Sequence, residues 1–247
     1  MKPKKLNPPQ AGFCFSSFFR KLEKNLIRQI DILVSISDRD LKKIKKLGYS
    51  GPAITIPTGL NMEDYEAIPP AIENSIFFIG SLDWMPNQEG LNWFIDEVLP
   101  YLIKTNTSFT FHVAGRNAPE ELTEKFQHPN IVYHGEVENA RAFMQKYEVM
   151  AVPLLTGSGI RIKIIEGMAM GKPVVTSVIG AEGIPATDRK QIFIANEPET
   201  FAQDLILLLN NNQLREQVSV EARKFILGNF DTFELSSRLT EFYKQQA

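Results

Sequence analysis

Arg161, Lys163 and Glu166 follow directly on Gly157-Ser158-Gly159, a combination of residue types that can bind an anion beside a hydroxyl-rich group. The segment Val149–Val175 reads as strand, tight loop, helix, strand, with the second apolar run starting at Pro173. Small loop residues let an anion approach the backbone N–H groups at the start of the helix, where the macrodipole is positive. Arg161 and Lys163 add formal charge at the same end. Cations there oppose the dipole unless an anion balances them, so their placement argues for a ligand. Glu166 lies about one turn further in, on the side of Lys163, where a carboxylate can accept from ligand hydroxyls. A diphosphate with a sugar beside it fits that arrangement. The plainer alternative is a solvated helix on which Glu166 pairs with Lys163 or Arg161, a contact of about 0.3 kcal/mol.

The surrounding pattern has to position these groups. Ser75–Gly80, Ser108–Ala114, Ile131–His134, Val149–Pro153, Val174–Ser177 and Gln191–Ile194 read as buried strands. Between them, Leu91–Ile103, Ala118–Phe126, Ala140–Lys146 and Ile162–Met170 read as helices, and Phe201–Leu209, Gln213–Leu227 and Phe233–Tyr243 close the chain as helices. Such alternation predicts an α/β fold: a Rossmann-like, doubly wound parallel sheet of about six strands with right-handed crossovers. Ligands on these sheets bind beyond the carboxyl ends of the strands, and the Gly157–Gly159 loop sits at one. Ahead of the sheet, Phe15–Ile30 reads as an amphipathic helix, Ile32–Ser37 as a strand, Asp38–Leu47 as a helix capped by Gly48, and Ala53–Pro57 as a short strand. That is less than a complete domain.

Composition narrows the function. A chain of 247 residues with 43% hydrophobic content holds one sizeable core and a smaller piece, or two modest domains. A formal net charge of −2 argues against nucleic acid, which needs a concentrated basic surface. The single cysteine, Cys14, forms no internal disulfide and suits a reducing cytoplasm. No apolar run reaches transmembrane length, and Asn7-Pro8-Pro9-Gln10 interrupts a signal-peptide reading of the basic start. Phe15, Phe18, Phe19, Leu22, Leu26 and Ile30 form a stripe beside Lys21, Lys24 and Arg28. It is expected to pack within its own domain, with a membrane surface as the alternative. Lys42, Lys43, Lys45 and Lys46 interleave with Leu41, Ile44 and Leu47 and read as a solvated face. His112, His128 and His134 lack metal-ligand spacing, though His134 precedes a strand-end glycine and is a candidate for the cleft wall.

Glu166-Gly167-Met168-Ala169-Met170-Gly171-Lys172-Pro173-Val174-Val175 resembles the Glu-Ala-Met-Ala-x-Gly-Lys-Pro-Val-Val signature of the group 1 glycosyltransferases. Phe78-Ile79-Gly80-Ser81-Leu82-Asp83-Trp84-Met85-Pro86-Asn87 is similar to the first strand and loop of that family's donor domain. Val113-Ala114-Gly115-Arg116 and Tyr133-His134-Gly135-Glu136-Val137 resemble its second and third strand ends, and Gly180-Ala181-Glu182-Gly183-Ile184 the loop after its fifth strand. The resemblance implies the C-terminal half of the two-domain GT-B fold and retaining transfer of a glycosyl group from an NDP-sugar, with no metal or other cofactor. It implies donor contacts from Gly80, Ser81, Asn87, Gly115, Arg116, Val137, Gly157, Ser158, Gly159, Ile160 and Glu166, with Arg161 and Lys163 as the catalytic cations and Glu166 on the ribose. Asp83 and Trp84 fall on the loop that closes over the donor, or form an ordinary turn.

Two departures matter. The family's sugar-contacting glutamate is Ser158 here, and its Gly-Arg after the first strand is Gly80-Ser81. Residues 1–70 are expected to be the tail of the acceptor domain plus linker, 71–228 the donor domain, and 229–247 a helix crossing back. On this reading most of the N-terminal domain is missing, and it is the first partner. The others are the nucleotide-sugar and a glycan or lipid-linked glycan acceptor. A non-catalytic nucleotide-sugar-binding module and a sugar-nucleotide epimerase are the alternatives. A dinucleotide oxidoreductase fits less well, because no G-x-G-x-x-G follows the first strand.

Overall fold

The computed structural model describes residues 8–105 and 107–246, with side chains from residue 18 onward. Two compact units emerge, Met1–Pro57 with Ser236–Ala247, and Thr58–Leu235.

The first unit comprises α1 (Pro8–Ile27), β1 (Leu33–Ser35), α2 (Asp38–Lys46) and β2 (Ala53–Thr55). The two strands pair in parallel, Leu33 opposite Ala53. Ser37 caps α2, accepting from the Asp40 N–H at 3.1 Å while its hydroxyl donates to Asp40 Oδ2 at 2.7 Å. The triplet Asp38-Arg39-Asp40 has Asp-x-Asp spacing, but its two carboxylates lie in the first turn of α2, where they complement the dipole. Gly48 ends the helix at φ +110°, a conformation that favours glycine. Ile27, Leu33 and Tyr49 form a small core on which Leu41, Ile44 and Leu47 pack, leaving the interleaved lysines of α2 in solvent as expected. Phe18, Phe19, Leu22 and Leu26 of α1 are exposed, Phe18 by 63%. The Phe15 side chain lies outside the described residues.

The second unit holds the six-stranded sheet: β3 (Ser75–Ile79), β4 (Thr110–Ala114), β5 (Ile131–Tyr133), β6 (Val149–Val152), β7 (Val174–Thr176) and β8 (Phe193–Ile194). All neighbours are parallel, in the order β5-β4-β3-β6-β7-β8. Strands with apolar side chains on both faces must be covered twice, and the alternation along β3 shows how. Ile76 and Phe78 enter one core with Phe94, Leu99, Phe201 and Leu205. Phe77 and Ile79 enter the other with Phe143, Ile164, Met168 and Ile226. The covering helices are α3 (Met85–Trp93), α4 (Leu99–Ile103), α5 (Glu120–Lys125), α6 (Ala140–Gln145), α7 (Ile162–Ala169), α8 (Pro198–Asn210) and α9 (Asn212–Phe230). A last helix, α10, runs Thr232–Gln246, and from Ser236 onward it groups with the first unit.

The helix after β3 differs most from the sequence reading. The helix expected from Leu91 starts at Met85, because Pro86 in the first turn gives up no intrahelical hydrogen bond. It then passes through a π-helical turn, Phe94–Val98, just before Pro100, which has no N–H to donate. The second unit runs from Thr58 to Leu235. Leu60, Met62 and Tyr65 bury in the core beside α7 and α9, and Leu60 exchanges backbone hydrogen bonds with Phe230 and Thr232 at 2.7 and 3.0 Å.

From β3 the sheet grows outward through β4 on one side and through β6 and β7 on the other. Chain order therefore reverses between β3 and β6, which opens a crevice at their carboxyl ends.

Candidate functional site

The loop leaving β6 forms one wall of that crevice. Gly157 and Gly159 adopt φ of +117° and +87°, in the left-handed region. A Cβ on Gly157 would stand 2.7 Å from Arg161 Nη2, so a side chain there would displace the guanidinium as well as strain the backbone. Arg161 is the residue that caps α7 and is 5% exposed. Its Nη1 donates to the Ser158 and Gly159 carbonyls, both at 2.6 Å, and its guanidinium lies 5.6 Å from the Trp84 ring centre. Arg161 Nε and Nη2 are buried and meet no acceptor among the described residues. Burial lowers the guanidinium pKa from its ordinary value, yet an arginine keeps its charge.

Lys163 turns under the end of β3. Its Nζ donates to the Ile79 carbonyl at 3.1 Å and to Asn87 Oδ1 at 2.9 Å, and lies 4.1 Å from the Phe78 ring centre. Asn87, 3% exposed, donates from Nδ2 to the Ser81 carbonyl at 2.7 Å. Burial, and then the neighbouring Arg161 charge, lower the Lys163 ammonium pKa to about 7. Space for it depends on Gly80, where a Cβ would stand 2.7 Å from Nζ. Glu166 sits one turn along α7 and accepts at Oε1 from the Tyr65 hydroxyl at 2.8 Å.

A cavity of about 520 Å³ lies between these groups. Of the residues expected at the site, Gly80, Ser81, Asn87, Ser158, Ile160, Arg161, Lys163 and Glu166 line it. Gly157 and Gly159 shape the adjoining loop. Gly115 acts one layer below: its Cβ would meet the Gly80 carbonyl oxygen at 1.9 Å, so the two loops can touch only with glycine there. Arg116 reaches the wall through Ser81, its Nε donating to Ser81 Oγ at 3.3 Å. Ser81 Oγ in turn donates to Asp83 Oδ1 at 2.7 Å, and Asn117 Nδ2 donates to Asp83 Oδ2 at 3.0 Å, which together hold the Asp83 carboxyl below its usual pKa. Val137 packs against the core beside α6 and α7 and is not in the lining. Trp84 does line the cavity.

Ala140, Met144 and Ile162 also line it, and Tyr65 reaches it through Glu166. Ile162 lies on α7 between Arg161 and Lys163, whereas Ala140, Met144 and Tyr65 carried no local signal and arrive through the packing of α6 or of the segment before β3. His134 does not line the cavity. Its Nε2 lies 3.0 Å from His112 Nδ1 and 3.3 Å from the Tyr147 hydroxyl. Desolvation, and then His134, take the His112 pKa to about 4. No group of three His, Cys, Asp or Glu able to hold a metal ion occurs among the described residues, and no described helix is long and apolar enough to cross a membrane.

Solved structures share this architecture. Anabaena HepE, solved with UDP, superposes with a TM-score of 0.77 at 14% identity, covering 92% of this chain and 67% of that one. A glycosyltransferase from Rickettsia africae gives 0.76 at 17% identity, covering 92% and 66%. At these identities the likeness shows the fold, and the six-stranded unit is the C-terminal domain of a GT-B fold. Among curated relatives, a Klebsiella pneumoniae protein described as an uncharacterized 44.6 kDa protein in the cps region is 28% identical over 174 residues, covering 67% of this chain and 45% of its own. The phosphatidyl-myo-inositol mannosyltransferase of Mycobacterium leprae is 26% identical over 208 residues, covering 79% and 54%. The chain spans about half the length of these relatives. The family model described as glycosyl transferases group 1 matches residues 73–211, which is more than half of the chain and takes in the whole six-stranded sheet and its cavity. This chain therefore belongs to the group 1 glycosyl transferases.

Proposed function

We propose that the cavity binds a nucleoside-diphosphate sugar, with the diphosphate at the Gly157–Arg161 loop and the ribose at Glu166, for retaining transfer of the sugar to an acceptor. The observation that carries this reading is the buried Arg161 guanidinium. Two of its nitrogens meet no acceptor among the described residues, at a helix start beside a second buried cation. A buried donor left without an acceptor costs about 1–3 kcal/mol, and an entering phosphate oxygen relieves that cost.

In the reaction, the bond between anomeric carbon and diphosphate breaks and negative charge develops on the leaving group. Arg161, Lys163 and the α7 N-terminus supply a preorganised positive field where that charge appears, an effect of the oxyanion-hole type. The reading needs no metal ion for this step. The acceptor is assigned to the part of the protein found in the longer relatives. The acceptor is read as a glycan or lipid-linked glycan; a lipid-borne acceptor is supported by a relative named as a phosphatidyl-myo-inositol mannosyltransferase, and the donor class by neighbours solved with UDP and UDP-glucose.

Calorimetry with UDP, GDP and ADP, with and without EDTA, tests the reading. At least one diphosphate should bind, equally well in EDTA and more weakly as salt rises. No heat with any of the three at millimolar concentration overturns it.

A further inference from the structure

We infer that Tyr65 is a positioning residue for Glu166, and that the pair sets the preference of the site for a ribose bearing both hydroxyls over a deoxygenated sugar. The inference rests on the reading that Glu166 receives the ribose. Tyr65 directly follows a short 3-10 turn, Met62–Asp64, in the segment ahead of the sheet, 101 residues from Glu166 in sequence. It is 3% exposed.

Several elements hold it. Arg141 on α6 places its guanidinium 4.5 Å from the Tyr65 ring centre, with Nη2 3.4 Å from the hydroxyl and 3.7 Å from the Asp64 carboxylate. Arg223 on α9 donates from Nη1 to the Tyr65 carbonyl and to the Ala169 carbonyl at the end of α7, both at 2.5 Å. The ring is thus fixed from α6 and its backbone is tied to α9 and to the helix that carries Glu166. Burial, with the carboxylate beside it, raises the phenol pKa from its ordinary value, so the hydroxyl stays a donor.

The consequence falls on Glu166. A free glutamate side chain samples many rotamers and loses them on binding, whereas one already held by a hydrogen bond has less to lose. Tyr65 occupies Oε1. No other hydrogen bond to the carboxylate is seen among the described residues, so Oε2 is available to a ligand hydroxyl. A phenylalanine at position 65 fills almost the same volume, so only the hydroxyl separates positioning from packing.

The test uses the 247-residue chain. UDP, GDP and ADP and their 2′,3′-dideoxy counterparts are titrated into the wild type, Tyr65→Phe, Glu166→Gln and the double variant. The wild type should prefer the ribose form by about tenfold. Tyr65→Phe should lose about fivefold in affinity for the ribose form and nothing for the dideoxy form, and should add no loss in the Glu166→Gln background. Arg141→Met, which alters a half-exposed support of the ring, should shift the ribose-to-dideoxy ratio in the same direction and covers the case of a poorly folded Tyr65→Phe. An equal loss on both sugar forms, no loss, or tighter ribose binding overturns the inference alone. Absence of binding by the wild type overturns it together with the reading beneath it.

Discussion

Lys163 Nζ donates to Asn87 Oδ1 at 2.9 Å, and that bond ties the helix after β6 to the helix after β3 across the crevice of the sheet. The ammonium is held by dipoles, with a carbonyl on its other side, and has no carboxylate among its hydrogen-bond partners. Burial, and then the Arg161 charge, lower its pKa to about 7, and a diphosphate would supply a counter-charge.

Nucleotide binding should accordingly take up a proton. An entering anion raises the Lys163 pKa, so at pH 8 the bound lysine is protonated where the free one is mostly neutral. Affinity should fall as pH rises above 7, and the calorimetric heat should vary with the ionisation enthalpy of the buffer. Heats independent of buffer would refute a role for Lys163 at the diphosphate.

Without ligand, the same group makes stability depend on pH. The folded pKa of Lys163 is about 7 and that of Lys172 about 8, against 10.5 for an unperturbed lysine. The unfolded chain binds more protons across that interval, so resistance to urea should rise from pH 7 toward pH 10. Lys163→Met should flatten the slope; an unchanged slope would show that this lysine is not desolvated.

Arg161 and Glu166 should separate phosphate from ribose. Arg161→Ala should weaken a nucleoside diphosphate about tenfold or more and leave the nucleoside unaffected, while Glu166→Gln should weaken both. Equal effects of Arg161→Ala on the two ligands would remove the diphosphate from the Gly157–Arg161 loop.

Two glycines should fail in different ways. Alanine at Gly80 would push against the tip of a lysine side chain, so the fold should survive while binding weakens. Alanine at Gly115 would drive a methyl into the Gly80 carbonyl oxygen, an approach of 1.9 Å that only backbone movement relieves, at a cost of about 1–3 kcal/mol. Thermal melts and nucleotide titrations of both variants decide it. A Gly80→Ala protein with full affinity would show that Lys163 has room to spare.

Transfer itself should need more than this chain. The longer relatives carry about as much polypeptide again, and aligning two reactants supplies a large part of a catalysed rate. The 247-residue chain should bind donor without measurable transfer, and a polypeptide of the relatives' full length should transfer. Efficient transfer to any acceptor by the shorter chain would overturn this expectation.

The alternation of apolar runs with helical patterns determined that a parallel, doubly wound sheet forms, since strands buried on both faces admit few other arrangements. Gly157-Ser158-Gly159 beside Arg161, Lys163 and Glu166 was legible for a similar reason: a loop, a helix start and one turn of helix are local, and their spacing is set by chain geometry. Strand order was not legible, because it depends on which strand β3 accepts at each edge, and that order makes the crevice between β3 and β6. Only the tertiary structure showed that Lys163 turns inward to Asn87 and the Ile79 carbonyl while Val137 packs against the core. Tyr65 was invisible for the same reason. Its partner lies 101 residues away, and no periodicity or local motif records a hydrogen bond that exists only once α6, α7 and α9 have packed around it.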